Sequence, residues 1–262
     1  MNWEIIPFFS LTASLTVGVP AYIFFRNRMV SSTPTPRSFS RRRVIKVTLA
    51  NILLNSFVGM HLLVLFLATI FNQPLGNISQ VLASLLFLLV SGMTFYGNGI
   101  YITSIVLEAF TLPQLRRFKE FKTQFIATHL FHGPISHVLI YSGWPIALLT
   151  IALLNAANPH SQIIYSFLIY ATLLFCSLIS GVGFAIGQIY NKTFPYQYIS
   201  VLFCLTVLSY TLIIKNINLF SSPTYIFLFG FCLSTILVLS PYILWYLHKH
   251  GQIHWDISSE QI

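Results

Sequence analysis

The stretch THLFHGPISHVLIYSGW, residues 128–144, carries His129, His132 and His137 within nine positions. Neutral imidazole is the commonest metal ligand, and it titrates near physiological pH. His129 and His132 stand at i and i+3. On a helix they share one side and could ligate a single ion. Zinc takes three or four N, S or O ligands in a tetrahedral array, and Glu108 supplies a carboxylate as a third. Without a metal, Glu108 and His129 make an acid/base pair, since burial and neighbours bring both groups into a useful range. Haem needs axial histidines on facing helices at matched depth, and His61 with His137 is the pair that fits. An HxxH spacing is weak by itself, so the chemistry depends on what holds these residues.

What holds them is apolar. Of the 262 residues, 56% are hydrophobic and only 7% charged, where an ordinary soluble domain carries about a quarter charged. The bilayer is the natural solvent for such a chain. Crossing about 30 Å of hydrocarbon takes roughly 20 mostly apolar residues. Seven stretches meet that length, near 5–25, 46–70, 80–111, 125–154, 162–190, 197–215 and 224–247. Their apolar runs are continuous and do not alternate as barrel strands do. The first stretch has no cationic lead and no small-residue cleavage site, so it reads as a retained span. The expected fold is therefore all-α: one domain over 1–262, with seven transmembrane helices.

The basic residues orient it. Seven of the 14 Lys and Arg lie between Arg26 and Lys46, and four more are Arg116, Arg117, Lys119 and Lys122. Lys192 and Lys249 follow the fifth and seventh stretches, and only Lys215 falls on the other side. Basic residues near short loops stay cytoplasmic, so the N-terminus is outside and the C-terminus inside. The formal charge of +9 is then topogenic and needs no nucleic acid. The Arg41-Arg42-Arg43 cluster suits anionic lipid headgroups. Which membrane the protein occupies is not encoded in the charge pattern.

Depth then groups the polar residues. Glu108 and His129 both lie roughly 5–8 Å in from the cytoplasmic end, Tyr101 and His132 roughly 12–15 Å, and Asn98 and His137 roughly 20 Å. His61 comes to nearly the level of His137. Spans three and four are joined by a short inner loop and should be antiparallel neighbours. Asn98, Tyr101, Ile105 and Glu108 share one side of span three. His129, His132 and Ser136 share one side of span four, with His137 and Tyr141 about a quarter turn away. Gly133-Pro134 lies between those sets, and a proline normally kinks a helix.

These residues predict a polar seam between spans two, three and four. Ionisable groups in a span face the bundle interior and mark functional sites by default. Three readings stand. The seam binds a metal ion or a lipid-soluble ligand, with Glu108, His129 and His132 doing metal or proton chemistry and His61, Asn98, Tyr101 and His137 lining the ligand. Alternatively the seam is interhelical glue in a non-catalytic membrane subunit or assembly factor. Alternatively the chain is a small transporter hinged at Pro134. Several known seven-span patterns are absent. Residues 224–247 hold no lysine for a retinal Schiff base, no Asp-Arg-Tyr follows the third span, and Ser240-Pro241-Tyr242 is not Asn-Pro-x-x-Tyr. Alkaline-ceramidase-type hydrolases need an Asp in span three and an HxxxH in span seven; here span three has no Asp and His250/His254 fall beyond the span. Cys176, Cys204 and Cys232 lie within spans and are expected as free thiols. In span five, Gly183-x-x-x-Gly187 with Gly181 nearby is expected to allow close helix packing.

Overall fold

A computed structural model describes residues 5–13, 16, 41–71, 78–115, 118, 120, 122–157 and 166–253. Among them helix is the only regular structure. In chain order the helices are α1 (Ile6–Ala13), α2 (Arg41–Phe71), α3 (Ile78–Leu115), α4 (Lys122–Leu130), α5 (Ser136–Ala157), α6 (Phe167–Tyr190), α7 (Phe194–Ile214) and α8 (Pro223–His250). Five of them are long and apolar enough to cross a membrane: Gln80–Ser104 within α3, and the whole of α5, α6, α7 and α8. Ser56–Phe71 of α2 forms a shorter apolar helix. Helix α1 overlaps the first expected span, whose residues 14–15 and 17–25 lie outside the described ones.

The fourth expected span is not one kinked helix. Between α4 and α5 lies a π turn, Phe131–Ile135. Its cause is local. Pro134 has no N–H to give, and in a regular helix its ring would press on the carbonyl of Leu130. Widening the turn relieves that pressure, and the Ser136 N–H reaches back five residues to the Phe131 carbonyl. Helix α3 runs on to Leu115, about one turn past the apolar stretch that announces it.

Helix α3 lies along α5, and α6 lies along α8; these are the two most extensive packings. Helix α7 closes against α5 and α8, while α2 touches α3 and α5, and α1 touches α2 and α6. Helix α5 is the centre of the bundle, with two-thirds of its core stretch buried against about a fifth for α7. Elsewhere leucines and phenylalanines such as Leu82, Leu89, Phe175 and Phe203 stand exposed, as a lipid-facing surface requires.

Small residues set the close approaches. A Cβ on Gly143 would strike the Thr94 hydroxyl on α3, and one on Gly181 would strike the Ser234 hydroxyl and the Phe231 carbonyl on α8. At the latter contact the Thr235 hydroxyl lies 3.2 Å from the Gly181 carbonyl across the interface. At Gly181, and at Gly230 on the facing helix, α6 and α8 meet closely. The three cysteines are free, with Cys204 and Cys232 fully buried.

Lys215, the single basic residue assigned to the outer side, has a structural use. It follows α7, and its Nζ donates to the Ala156 carbonyl at the end of α5, 3.0 Å away. A helix C-terminus presents unpaired carbonyls and a partial negative charge, which a lysine satisfies well. Helix α8 ends differently, on Gly251 with φ 75°, a left-handed cap that glycine adopts without steric cost.

Gly181→Ala should lower the free energy of unfolding in detergent by about 1–3 kcal/mol, the usual range for overpacking. Gly92→Ala, where an added Cβ meets nothing within 4 Å, should leave it unchanged or raised. Denaturant titrations of the two variants side by side measure the difference.

Candidate functional site

The register of α3 on α5 is read from three contacts. Thr94 sits over Gly143, Gly97 faces Leu139 and Ile140, and Tyr101 meets His137. The Tyr101 and His137 rings are 5.4 Å apart at 35°. Both side chains are buried, at 1% and 3% exposure. The sequence paired Tyr101 with His132 by depth, but its ring partner is His137, more than a turn further on. Two physical facts cause the shift: α3 extends to Leu115, and the π turn takes up residues without the usual rise.

From His137 an aromatic stripe climbs α5 at i, i+4 and i+7. His137 and Tyr141 rings are 5.6 Å apart, and Tyr141 and Trp144 rings are 5.3 Å apart, edge-on. Tyr141 also touches Phe184 of α6 at 6.1 Å, and Phe184 touches Phe231 of α8 at 5.1 Å. The stripe therefore faces the bundle interior, between α3 and the α6–α8 pair.

Trp144 was not singled out from the sequence. It is 4% exposed, and its indole Nε1 has no hydrogen-bond partner among the described residues. A buried indole N–H normally finds one. The missed signal was position. Tryptophans of membrane proteins gather at the two interfaces, whereas Trp144 lies about 20 Å from the Ala157 end of α5.

The other expected site residues divide into two groups. Asn98 is half-buried on α3. His61 is half-buried on α2, with its ring turned onto its own helix: Nδ1 lies 2.6 Å from the Phe57 carbonyl, and the ring meets Phe57 edge-on at 4.2 Å. That bond sets Nδ1 as the protonated nitrogen. Glu108, His129 and His132 belong to α3, α4 and the π turn by backbone, but their side chains lie outside the described residues. Among the described residues no group of three or more His, Cys, Asp or Glu gathers that could hold a metal ion.

Tyr101→Ala should cost about 3–5 kcal/mol of stability, as removal of a buried ring does. His61→Ala should cost about 1 kcal/mol or less, since what is lost is a bond and a ring contact to Phe57 of its own helix. Paired unfolding curves in one detergent test the contrast. No protein-family model, curated protein or solved structure matches the chain.

Proposed function

We propose that this chain is a seven-span integral membrane protein, N-terminus outside and C-terminus cytoplasmic, whose third and fourth spans hold a metal ion or the polar group of a lipid-soluble ligand. Glu108, His129 and His132 are the binding or proton-carrying groups, with Asn98, Tyr101 and His137 lining the same seam. His61 bounds it from the second span.

The π turn carries this reading. In an unbroken α-helix residue 137 lies about 80° around from residue 129. A π turn completes its circle with roughly one extra residue. That removes about 100° of rotation and brings 137 to within about 20° of 129 and 40° of 132. Three histidine positions that an ordinary helix would divide then form one stripe, on the side where His137 meets Tyr101. The levels agree as well. Seven residues down α3 from Tyr101 comes Glu108. Eight residues back from His137, one of them absorbed by the π turn, comes His129. Single π turns in α-helices are frequent at functional sites. The buried, unmatched Trp144 Nε1 continues the stripe upward and offers a donor to a ligand's acceptor atom.

A second reading has its own support. Polar side chains among the described residues do bond from helix to helix, as Thr235 does to the Gly181 carbonyl and Ser142 to Gln197. A non-catalytic subunit or assembly factor, with the seam as glue, would look like this too. The two separate on metal content and absorption spectrum of gently solubilised protein, beside a His129→Ala/His132→Ala variant. A site gives stoichiometric metal, or a ligand band, that the variant loses while its melting temperature holds. Metal-free, colourless protein with an equally stable variant ends the site reading.

The orientation follows from thirteen basic residues on one side and Lys215 on the other. In a background with the three cysteines replaced by alanine, Phe220→Cys should react with an impermeant maleimide on intact cells. Glu120→Cys should react only after permeabilisation. The opposite pattern inverts the topology.

A further inference from the structure

The opposite side of α5 carries a second set of polar side chains, about 140° around the helix from His137. There the Ser142 hydroxyl donates to the Gln197 Oε1 of α7, 3.2 Å away. Gln197 is fully buried, and its Nε2 has no partner. One turn along α7 the buried Ser200 hydroxyl has none either. One turn below, Thr193 donates to Gln188 at 2.7 Å, both side chains being buried. That pair is complete and explains itself. The Gln197 amide does not. A buried polar atom without a bond is destabilising, and in hydrocarbon no solvent relieves it. Turning the amide over changes which half is unmet and leaves one half unmet in either case.

The chemistry of a fitting group is constrained. Helices α6 and α7 contain no charged residue, and α5 contains none besides the distant His137. An ion held by these three side chains would have no countercharge on α5, α6 or α7, since Lys192 stands exposed in the turn before α7 and the basic residues of α8 stand in its last turn; burying one in such a medium is expensive. The group must be neutral. It must accept from an amide N–H and exchange a hydrogen bond with a hydroxyl, in whichever sense the amide stands. An alcohol does both. Depth adds a second constraint. Helix α7 spans 21 residues, about the 30 Å of hydrocarbon, and Gln197 is its fourth residue, about 5 Å in from the inner end. That is just inside the boundary with the polar region, where the glycerol portion of a lipid resides.

We propose that Gln197, with Ser142 and Ser200, forms a second binding site, between α5 and α7, for the uncharged hydroxyl of a glycerol-type compound. Its source is either a neutral glycerolipid in the inner leaflet or a free polyol from the aqueous side. The site shares no residue with the histidine seam, so either can fail alone.

The test uses thermal unfolding of the whole detergent-solubilised protein, read by a thiol-reactive dye. Cys204 and Cys232 are fully buried and become reactive only on unfolding. The probes are 1,2-dioctanoylglycerol and glycerol, each titrated on wild type, on Gln197→Leu and on Ser142→Ala/Ser200→Ala. In the absence of probe, Gln197→Leu should melt at or above wild type, because an unmet amide has been replaced by an apolar group of similar size. Dioctanoylglycerol should raise the wild-type melting temperature saturably, raise the double-alanine variant's less, and leave Gln197→Leu unmoved. A saturable, Gln197-dependent shift with glycerol as well assigns the site to a water-soluble polyol; a shift with dioctanoylglycerol alone assigns it to lipid. No Gln197-dependent shift with either probe overturns the proposal. So does a fall of several degrees in Gln197→Leu, which would make the amide a structural bond.

Discussion

A peptide group inside hydrocarbon has no water to bond to, so each backbone N–H and C=O must be satisfied by protein. The architecture follows from that. Helix is the only regular structure among the described residues because it alone closes its hydrogen bonds within one segment. The same pressure governs the side chains. Thr12, Thr94, Thr150 and Thr211 all turn their hydroxyls onto the carbonyl four residues back, where a donor that would be costly in lipid costs little. Where a helix stops, something must meet its last carbonyls, and Lys215 reaching to Ala156 at the end of α5 is one answer.

Once every helix is internally satisfied, helices attract one another mainly through shape. The extensive pairs, α3 with α5 and α6 with α8, are built on glycines that bring a neighbour's hydroxyl or carbonyl into contact. Helix α5 stands in the middle. It touches α2, α3, α7 and α8, and it presents a different chemistry to different neighbours. Gly143 gives α3 a smooth surface. His137, Tyr141 and Trp144 form an aromatic wall toward the interior. Ser142 gives α7 a hydroxyl. A central helix has no lipid-facing side to spare, so its polar residues must be accommodated by protein, as Ser142 is by Gln197 of α7.

The bundle was legible in the sequence because apolar length is a strong, one-dimensional signal. The expected segments 162–190, 197–215 and 224–247 fall on α6, α7 and α8 to within a few residues. Side-chain partnership was less legible. Depth arithmetic from assumed helix ends put Tyr101 beside His132, since nothing in the apolar pattern shows that α3 continues to Leu115. Pro134 announced a break without saying of what kind; kink and π turn share one cause and differ in the rotation they leave behind. Gly181, which the sequence offered only as a neighbour of Gly183 and Gly187, is a glycine at which α6 meets α8 closely. Gln197 and Trp144 escaped because a single glutamine or tryptophan is unremarkable until its surroundings are known.

The π turn has a meaning for inheritance as well as for geometry. It amounts to one residue more than a regular helix needs. A single-codon deletion that removed Pro134 would leave a helix of normal pitch and nearly unchanged length, and the facing would stay unchanged too, because seven residues of regular helix turn through about the angle that eight turn through here. Losing the proline by substitution is a different event: with every residue kept and the turn drawn back to regular pitch, everything beyond swings by about 100° relative to everything before. Tyr101 would then lose His137 as its ring partner with neither residue altered. Comparing chain lengths would miss that event; comparing residue 134 would reveal it.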